Sequence, residues 1–346
     1  MKTHLKTTRR TLIRQLALLP FAPLALPSFA SSPNTVKPTK SALIPVMITP
    51  FKADKSIDWN TFDRVTDFYL AAGADGYFAN CLSSEMYLLT PEERLAVTER
   101  VIRRLRRPLP VVSTGSFGDT PQEKAEFIKK LNGLGTEAVI LITGHLAERE
   151  ESDDVLIKNV DQILALTGSI PLGTYESPNP YKRVLSKKVI DHLVKTKRFI
   201  YHKDTSESMD SIQLKLSASK GSKLKLFNAH TASAVASLRA GGAGLSPISA
   251  NFYPEILNWI CDHANNPEKK KEVDWIQKEI AETEPLISKG YPLSSKYFLM
   301  KRGLPIEQVT RVNRRPLTTE IQATLDGVHN RFLTWCERLA IQPVKL

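Results

Sequence analysis

The run Pro110-Val111-Val112-Ser113 is short and apolar, and Thr120-Pro121-Gln122-Glu123 follows it.

 After one amphipathic stretch comes Ala138-Val139-Ile140-Leu141-Ile142. Runs of four or five residues with both faces apolar suit strands buried on two sides, as in a parallel sheet covered by helices. Between them, a Thr followed by Pro and then acids is a helix start: proline is tolerated in the first turn, and acids favour that end. One strand, one helix and one parallel strand are thus legible within residues 110–142.

The same unit recurs outward from there. Strands are predicted at Leu43–Ile48, Gly76–Asn80, Pro110–Ser113, Ala138–Ile142, Ile170–Thr174, Phe199–His202, Leu224–Asn228 and Ala243–Ser246. Helices are predicted between them, among them Trp59–Ala72, Pro91–Leu105, Pro121–Leu134, Asp153–Leu166, Ser186–Val194 and Thr231–Ala240. Eight such units predict an α/β fold, a (β/α)8 TIM barrel over residues 42–250. From residue 251 to 346 no strand signal remains. That region is expected to be a C-terminal helical appendage, with helices near Pro254–Ala264, Lys271–Leu286, Leu293–Arg302 and Thr318–Leu339. A doubly wound nucleotide-binding sheet would need a glycine-rich turn after its first strand, and Pro50-Phe51-Lys52-Ala53 is not one.

Composition bounds the function. The chain has 346 residues, 42% hydrophobic and 24% charged, which is ordinary for a globular enzyme-sized domain. Its 48 basic and 36 acidic residues give a net charge of +12. The surplus is scattered and lacks interleaved aromatics, so no nucleic-acid partner is expected; it suits anionic substrates. Cys81, Cys261 and Cys336 show no metal-ligand spacing, and no metal is expected. Free buried thiols or one Cys261–Cys336 bridge are both compatible with the sequence.

Residues 1–30 read as an address. Arg9-Arg10 precedes an apolar run from Leu16 to about Leu26, and Ser28-Phe29-Ala30 resembles a peptidase site. This is the layout of a bacterial signal peptide, with paired arginines as in twin-arginine (Tat) signals, and it predicts a periplasmic or extracellular protein. The run is too short and proline-broken for a stable membrane span. Residues 31–41 are expected to be a flexible leader.

In a TIM barrel the chemistry lies at the strands' C-terminal ends. There the sequence places Ser83, Ser84, Glu85, His145, Tyr175, Glu176, Lys203, Asp204 and Ser246. Lys203 closes the apolar run from Phe199. Burial there disfavours its charge, and the neutral amine is a nucleophile for a 2-oxo acid carbonyl. Tyr175 closes the neighbouring strand, and its phenol can shuttle the protons that imine chemistry needs. His202 should face away from Lys203, between barrel and helices, while Asn228 and His230 end the seventh strand.

These pieces, in this order, resemble the dihydrodipicolinate synthase/N-acetylneuraminate lyase family of pyruvate-dependent class I aldolases. The resemblance rests on Val46-Met47-Ile48-Thr49-Pro50-Phe51, Gly73-Ala74-Asp75-Gly76, Leu89-Thr90-Pro91-Glu92-Glu93-Arg94, Tyr175-Glu176-Ser177-Pro178, His202-Lys203-Asp204-Thr205-Ser206 and Gly241-Gly242-Ala243-Gly244. It implies a Schiff base on Lys203, with Tyr175 as proton donor and acceptor. It also implies a substrate carboxylate near Ser83 and Ser84, with Ser246 a further substrate-binding residue, no cofactor, and a homo-oligomer (dimer or tetramer).

The departures are specific. The family's Gly-Thr-Thr-Gly-Glu loop stands here as Cys81-Leu82-Ser83-Ser84-Glu85, losing one hydroxyl and both glycines. Gly144-His145-Leu146 replaces a Pro-Tyr-Tyr stretch that carries an intersubunit tyrosine; His145 is expected either to take over as proton relay or to sit at the rim. Pro180 stands where the synthases use an arginine, with Lys182 or Arg183 nearby. Lysine biosynthesis is therefore not the expected task. Aldol cleavage, condensation and sugar-acid dehydration remain open, as does an exported binding protein without turnover.

Overall fold

The computed structural model describes residues 40–105, 107–312 and 315–345. The expected signal segment, and the leader up to residue 39, lie outside the described residues.

Eight parallel strands are β1 (Ala42–Leu43), β2 (Tyr77–Asn80), β3 (Val111–Thr114), β4 (Ala138–Ile142), β5 (Leu172–Tyr175), β6 (Phe199–Asp204), β7 (Lys225–Asn228) and β8 (Gly244–Leu245). They pair in chain order, and β8 pairs with β1. The last seam closes where Val46 bridges Phe78. The first strand is shorter than the predicted Leu43–Ile48. Pro45 has no N–H to give the ladder, yet its carbonyl still accepts from Phe78 N at 2.9 Å. The fold is a (β/α)8 barrel.

The helices are α1 (Trp59–Ala71), α2 (Pro91–Arg104), α3 (Pro121–Gly133), α4 (Asp153–Leu166), α5 (Lys187–Lys195), α6 (Met209–Ser219), α7 (Ala234–Arg239), α8 (Pro254–His263), α9 (Lys270–Ser288), α10 (Leu293–Lys301) and α11 (Thr319–Leu339). Thr90 and Thr120 cap α2 and α3 in capping boxes with Glu93 and Glu123, as those sequence signals predict. The boundary expected at residue 251 is corrected in one respect. Ile256, Leu257 and Ile260 of α8 pack with Leu43 and Leu245, so α8 is the barrel's eighth helix rather than part of an appendage. The helices that follow continue the same apolar cluster through Val273, Ile276, Phe298 and Trp335.

The barrel lumen is filled by Ile44, Val46, Phe78, Val112, Ile140, Ile142, Tyr201 and Phe227, with Tyr175 among them. In β6 the register with β5 slips by one residue between Phe199 and Tyr201. Phe199 packs outward with α5 residues, whereas Tyr201 turns into the lumen. Alternation from Tyr201 then brings Lys203 inward and sends His202 outward. All three cysteines are free and buried, so no Cys261–Cys336 bridge forms.

Candidate active site

Tyr175 and Lys203 are direct register partners on β5 and β6. The Lys203 Nζ lies 4.5 Å from the centre of the Tyr175 ring and 5.5 Å from that of Phe78. Phe78 meets Tyr175 edge-on at 5.7 Å, which fixes the phenol's plane over the lumen. Tyr175 and Lys203 line a cavity of about 760 Å³ with Leu82, Ser83, Pro178, Ile248 and Tyr291.

Lys203 is only 3% exposed. Among the described residues no carboxylate forms a salt bridge with it. Burial pushes its amine down to about 8, slightly opposed by the neighbouring Cys81. Roughly a tenth is therefore an uncharged nucleophile at pH 7, against about one part in three thousand for an ordinary lysine. Burial raises the Tyr175 phenol well above its ordinary value, so it enters any reaction carrying its proton.

Beneath this pair is an ionic network. Glu176 accepts hydrogen bonds from Leu185 N at 2.8 Å and Thr205 N at 3.1 Å. The Lys215 ammonium donates to Glu176 Oε1 and Asp204 Oδ2, at 2.5 Å each. His202 faces outward as expected. Its Nδ1 is 2.8 Å from Thr174 Oγ1 and its Nε2 is 3.5 Å from Glu176. Burial would push the Glu176 carboxyl up, but His202 and Lys215 outweigh it and hold it at about 2. Glu176, His202 and Asp204 are close enough together to bind a metal ion. The Lys215 ammonium already supplies the positive charge between the two carboxylates. The network ties together the chain just after Tyr175 and just after Lys203, so it sets the spacing of the pair.

The loop after β2 is held from the C-terminal side. Glu85 has a left-handed backbone, at φ 60°. Its carboxylate meets Lys296 Nζ at 3.0 Å, Thr310 Oγ1 at 2.6 Å and Arg311 N at 2.7 Å. That clamp presents Ser83 to the cavity. Ser84 is turned away: its hydroxyl lies 2.7 Å from both Cys81 N and Cys81 O. Ser246 is also turned away, donating to Ile44 O at 2.8 Å. Neither lines the cavity, because the backbone has already taken their hydrogen bonds.

His145 faces a second cavity, together with Ser116, Lys124 and Pro180. Its Nε2 lies 2.9 Å from the Tyr87 hydroxyl, which also donates to Asn179 O at 2.7 Å. It does not line the Lys203 cavity, so the structure does not bring His145 to that lysine. Burial lowers its pKa. His230 does line the Lys203 cavity, with Nε2 3.4 Å from Glu284. Asn228 instead spends its amide on Ser233, Ser237 and the His230 carbonyl. Lys182 reaches the cavity mouth and pairs with Glu207 at 2.7 Å, whereas Arg183 is held outside by Asp153 at 3.2 Å.

Sequence reading missed the far wall, made by Ala281, Glu284 and Pro285 of α9 together with Tyr291. No local pattern announces it, since those residues reach the cavity only through the return of the chain after α8.

The dihydrodipicolinate synthetase family model matches residues 39–330. The chain is 22% identical over 283 residues to a 4-hydroxy-tetrahydrodipicolinate synthase from Shewanella pealeana, covering 82% of this chain and 94% of the relative. It is 24% identical to the synthase of that name from Teredinibacter turnerae, covering 81% and 94%. Its fold is similar to that of the chloride-inhibited dihydrodipicolinate synthase from Acinetobacter baumannii complexed with pyruvate. The TM-score is 0.75 at 20% identity, covering 85% of this chain and 99% of the other. A prophage protein of the dihydrodipicolinic acid synthase family from E. coli K12, in complex with pyruvate, gives a TM-score of 0.75 at 20% identity, with 85% and 98% covered.

Proposed function

Because the chain belongs to the dihydrodipicolinate synthetase family, we propose that it is a Schiff-base-forming lyase or aldolase acting on a 2-oxo acid of the pyruvate type. The carrying observation is a buried lysine, shifted toward neutrality, facing a protonated tyrosine across the mouth of the barrel. The neutral Lys203 amine adds to the C2 carbonyl, and Tyr175 moves protons between nitrogen and oxygen as the carbinolamine becomes an imine. The protonated imine then draws electrons from the bond at C3 that is formed or broken. Ser83 is the hydroxyl available to the substrate's carboxylate.

Borohydride added to the protein with a panel of 2-oxo acids is expected to leave a reduced adduct on Lys203. An adduct on another lysine, or none with any acid, would sink the reading. Because the amine must be neutral to attack, the rate of adduct formation should climb about tenfold per pH unit below about 8 and level off above it.

Lysine biosynthesis is not the task we assign. Leu82 offers no hydroxyl, Leu146 replaces a relay tyrosine of the family, and Pro180 supplies no cation. A missing charge-assisted carboxylate contact forfeits about 1.5–3 kcal/mol. An exported location, proposed from residues 1–30, fits cleavage or dehydration of an external acidic substrate better. Expressed without residues 1–30, the protein should fail to support a synthase-deficient strain lacking lysine and diaminopimelate; growth would overturn this assignment. Expressed whole, it should fractionate with the periplasm. An imine-dependent sugar-acid dehydratase uses the same site. The altered Cys81–Glu85 loop favours one other reading, a binder without turnover, which an adduct with no turnover of any substrate would support.

A further inference from the structure

Imine formation at this site has a proton requirement that Tyr175 alone meets only in part. When the Lys203 amine adds to C2, a C–N bond forms, the carbonyl π bond breaks, and the proton lost by nitrogen goes to oxygen. Breaking the C–O bond then needs a second proton, so that oxygen leaves as water while the nitrogen lone pair closes the C=N bond. Passing on to the enamine removes one proton from C3. The balance closes if a single acid gives up the second proton and its conjugate base collects the one from C3. Of the groups expected to help, Leu82 has no hydroxyl, Ser84 is tied to Cys81, His145 faces the other cavity, and Ser83 is given to the substrate's carboxylate.

Tyr291 is built into the wall of the Lys203 cavity beside Ser83. It lies between α9 and α10 and so comes from the chain's own C-terminal region. Asn251 Nδ2 donates to its phenolic oxygen at 2.8 Å and also to Val46 O at 3.0 Å. The Val46 carbonyl can only accept, which fixes the amide's orientation, and Asn251 Oδ1 is taken by the Tyr69 hydroxyl. Asn251 therefore gives a hydrogen bond to Tyr291 and has no acceptor left for it. The phenol's own proton is left to point to the cavity side, where Ser83 stands. A tyrosine needed only for packing would not require its oxygen held this way from behind.

We propose that Tyr291 is a second proton-transferring residue of the imine site, working with Tyr175. It gives the proton with which the carbinolamine oxygen leaves as water, and its phenolate takes the proton from C3. The proposal rests on the Schiff-base reading above. Burial raises the Tyr291 phenol above its ordinary value while the Ser83 hydroxyl opposes the rise, consistent with a group that starts protonated and has its anion supported.

The test follows exchange of pyruvate's methyl protons with D2O by NMR, beside borohydride trapping, in the whole protein and its Tyr291→Phe variant. That substitution keeps the ring and removes one oxygen, so the thermal midpoint should barely move. Exchange is expected to fall roughly 10²-fold, at the low end for an acid–base group, with the Lys203 adduct still trapped and half-saturating pyruvate changed only a few-fold. Exchange within threefold of wild type, with the adduct intact, would overturn the role of Tyr291 alone. So would parallel loss of adduct and exchange through weakened pyruvate binding, which would make it a binding residue. Absence of an adduct in the wild-type protein would instead overturn the Schiff-base reading, and this proposal with it.

Discussion

Pyruvate methyl exchange is expected to disappear in Lys203→Ala and to fall roughly 10²–10⁴-fold in Tyr175→Phe, with the reducible adduct lost in the first variant and kept in the second. The two outcomes separate because the residues do different work. In the proposed mechanism Lys203 forms the bond, and among the described residues no other lysine shares the lumen with Tyr175 and Phe78. Without its amine there is no imine to reduce. Tyr175 speeds passage between states without entering the covalent product. Given time, the adduct still accumulates when its hydroxyl is removed. The Phe78 edge contact should also hold a phenylalanine ring at position 175, which makes collapse of the site a poor explanation for lost exchange. A Tyr175→Phe protein within a few-fold of wild type would move the proton work elsewhere, and Tyr291 would be the first residue to examine.

That ordering reflects what the sequence could and could not convey. Lys203 and Tyr175 each close a short apolar run, and consecutive strands of a barrel are neighbours, so their adjacency followed from strand order alone. The inward and outward alternation likewise placed His202 behind the barrel wall. Ser84 and Ser246 look equivalent to Ser83 in sequence, because a strand-end serine gives no sign that backbone groups have claimed its hydroxyl. His145 sits at the right strand end, but its ring is held by Tyr87 and Ser116 in a separate cavity, and those contacts are tertiary. The C-terminal helices were legible as helices from their caps and periodicity. Their role as a cavity wall was not, since it depends on where Tyr291 returns.

The helix α6 shows a different obstacle. Ile212-Gln213-Leu214-Lys215-Leu216 alternates apolar and polar residues as a strand would, so the helix expected after the sixth strand has no legible bounds in the sequence. In the structure Leu214 is 41% exposed while Lys215 is buried, with Ile212, Lys215 and Ser219 sharing the inward face. The apolar pattern is inverted because the inward position must supply a cation. A pattern search that assigns lysine to solvent discards the residue that makes the helix intelligible.

Lys215→Met should consequently destabilise the fold by roughly 3–5 kcal/mol, the usual cost of leaving a buried charge without its partner. Methionine approximates the stem in volume, so packing loss contributes little. What remains is two buried carboxylates, Glu176 and Asp204, with the Thr174–His202 pair as the nearest polar company. The pH dependence gives the mechanism a signature. In wild type the Glu176 carboxyl is held at about 2, below its ordinary 4.5, so its contribution is full above about 4.5 and is lost as pH falls toward 2. Without the ammonium, burial of Glu176 is opposed by His202 alone, so its carboxyl rises from about 2 and the part of its stabilisation that Lys215 supplied is lost. That loss fades as the carboxyl protonates in both proteins, so the gap in thermal midpoint between them should narrow as pH is lowered from 7 to 3. A gap constant over that range would mean that Lys215 matters for volume rather than charge. Because Glu176 and Asp204 directly follow Tyr175 and Lys203, the variant should also lose methyl exchange where it is still folded. Such a loss in folded protein would show that the network sets the geometry of the imine pair as well as the stability of the barrel.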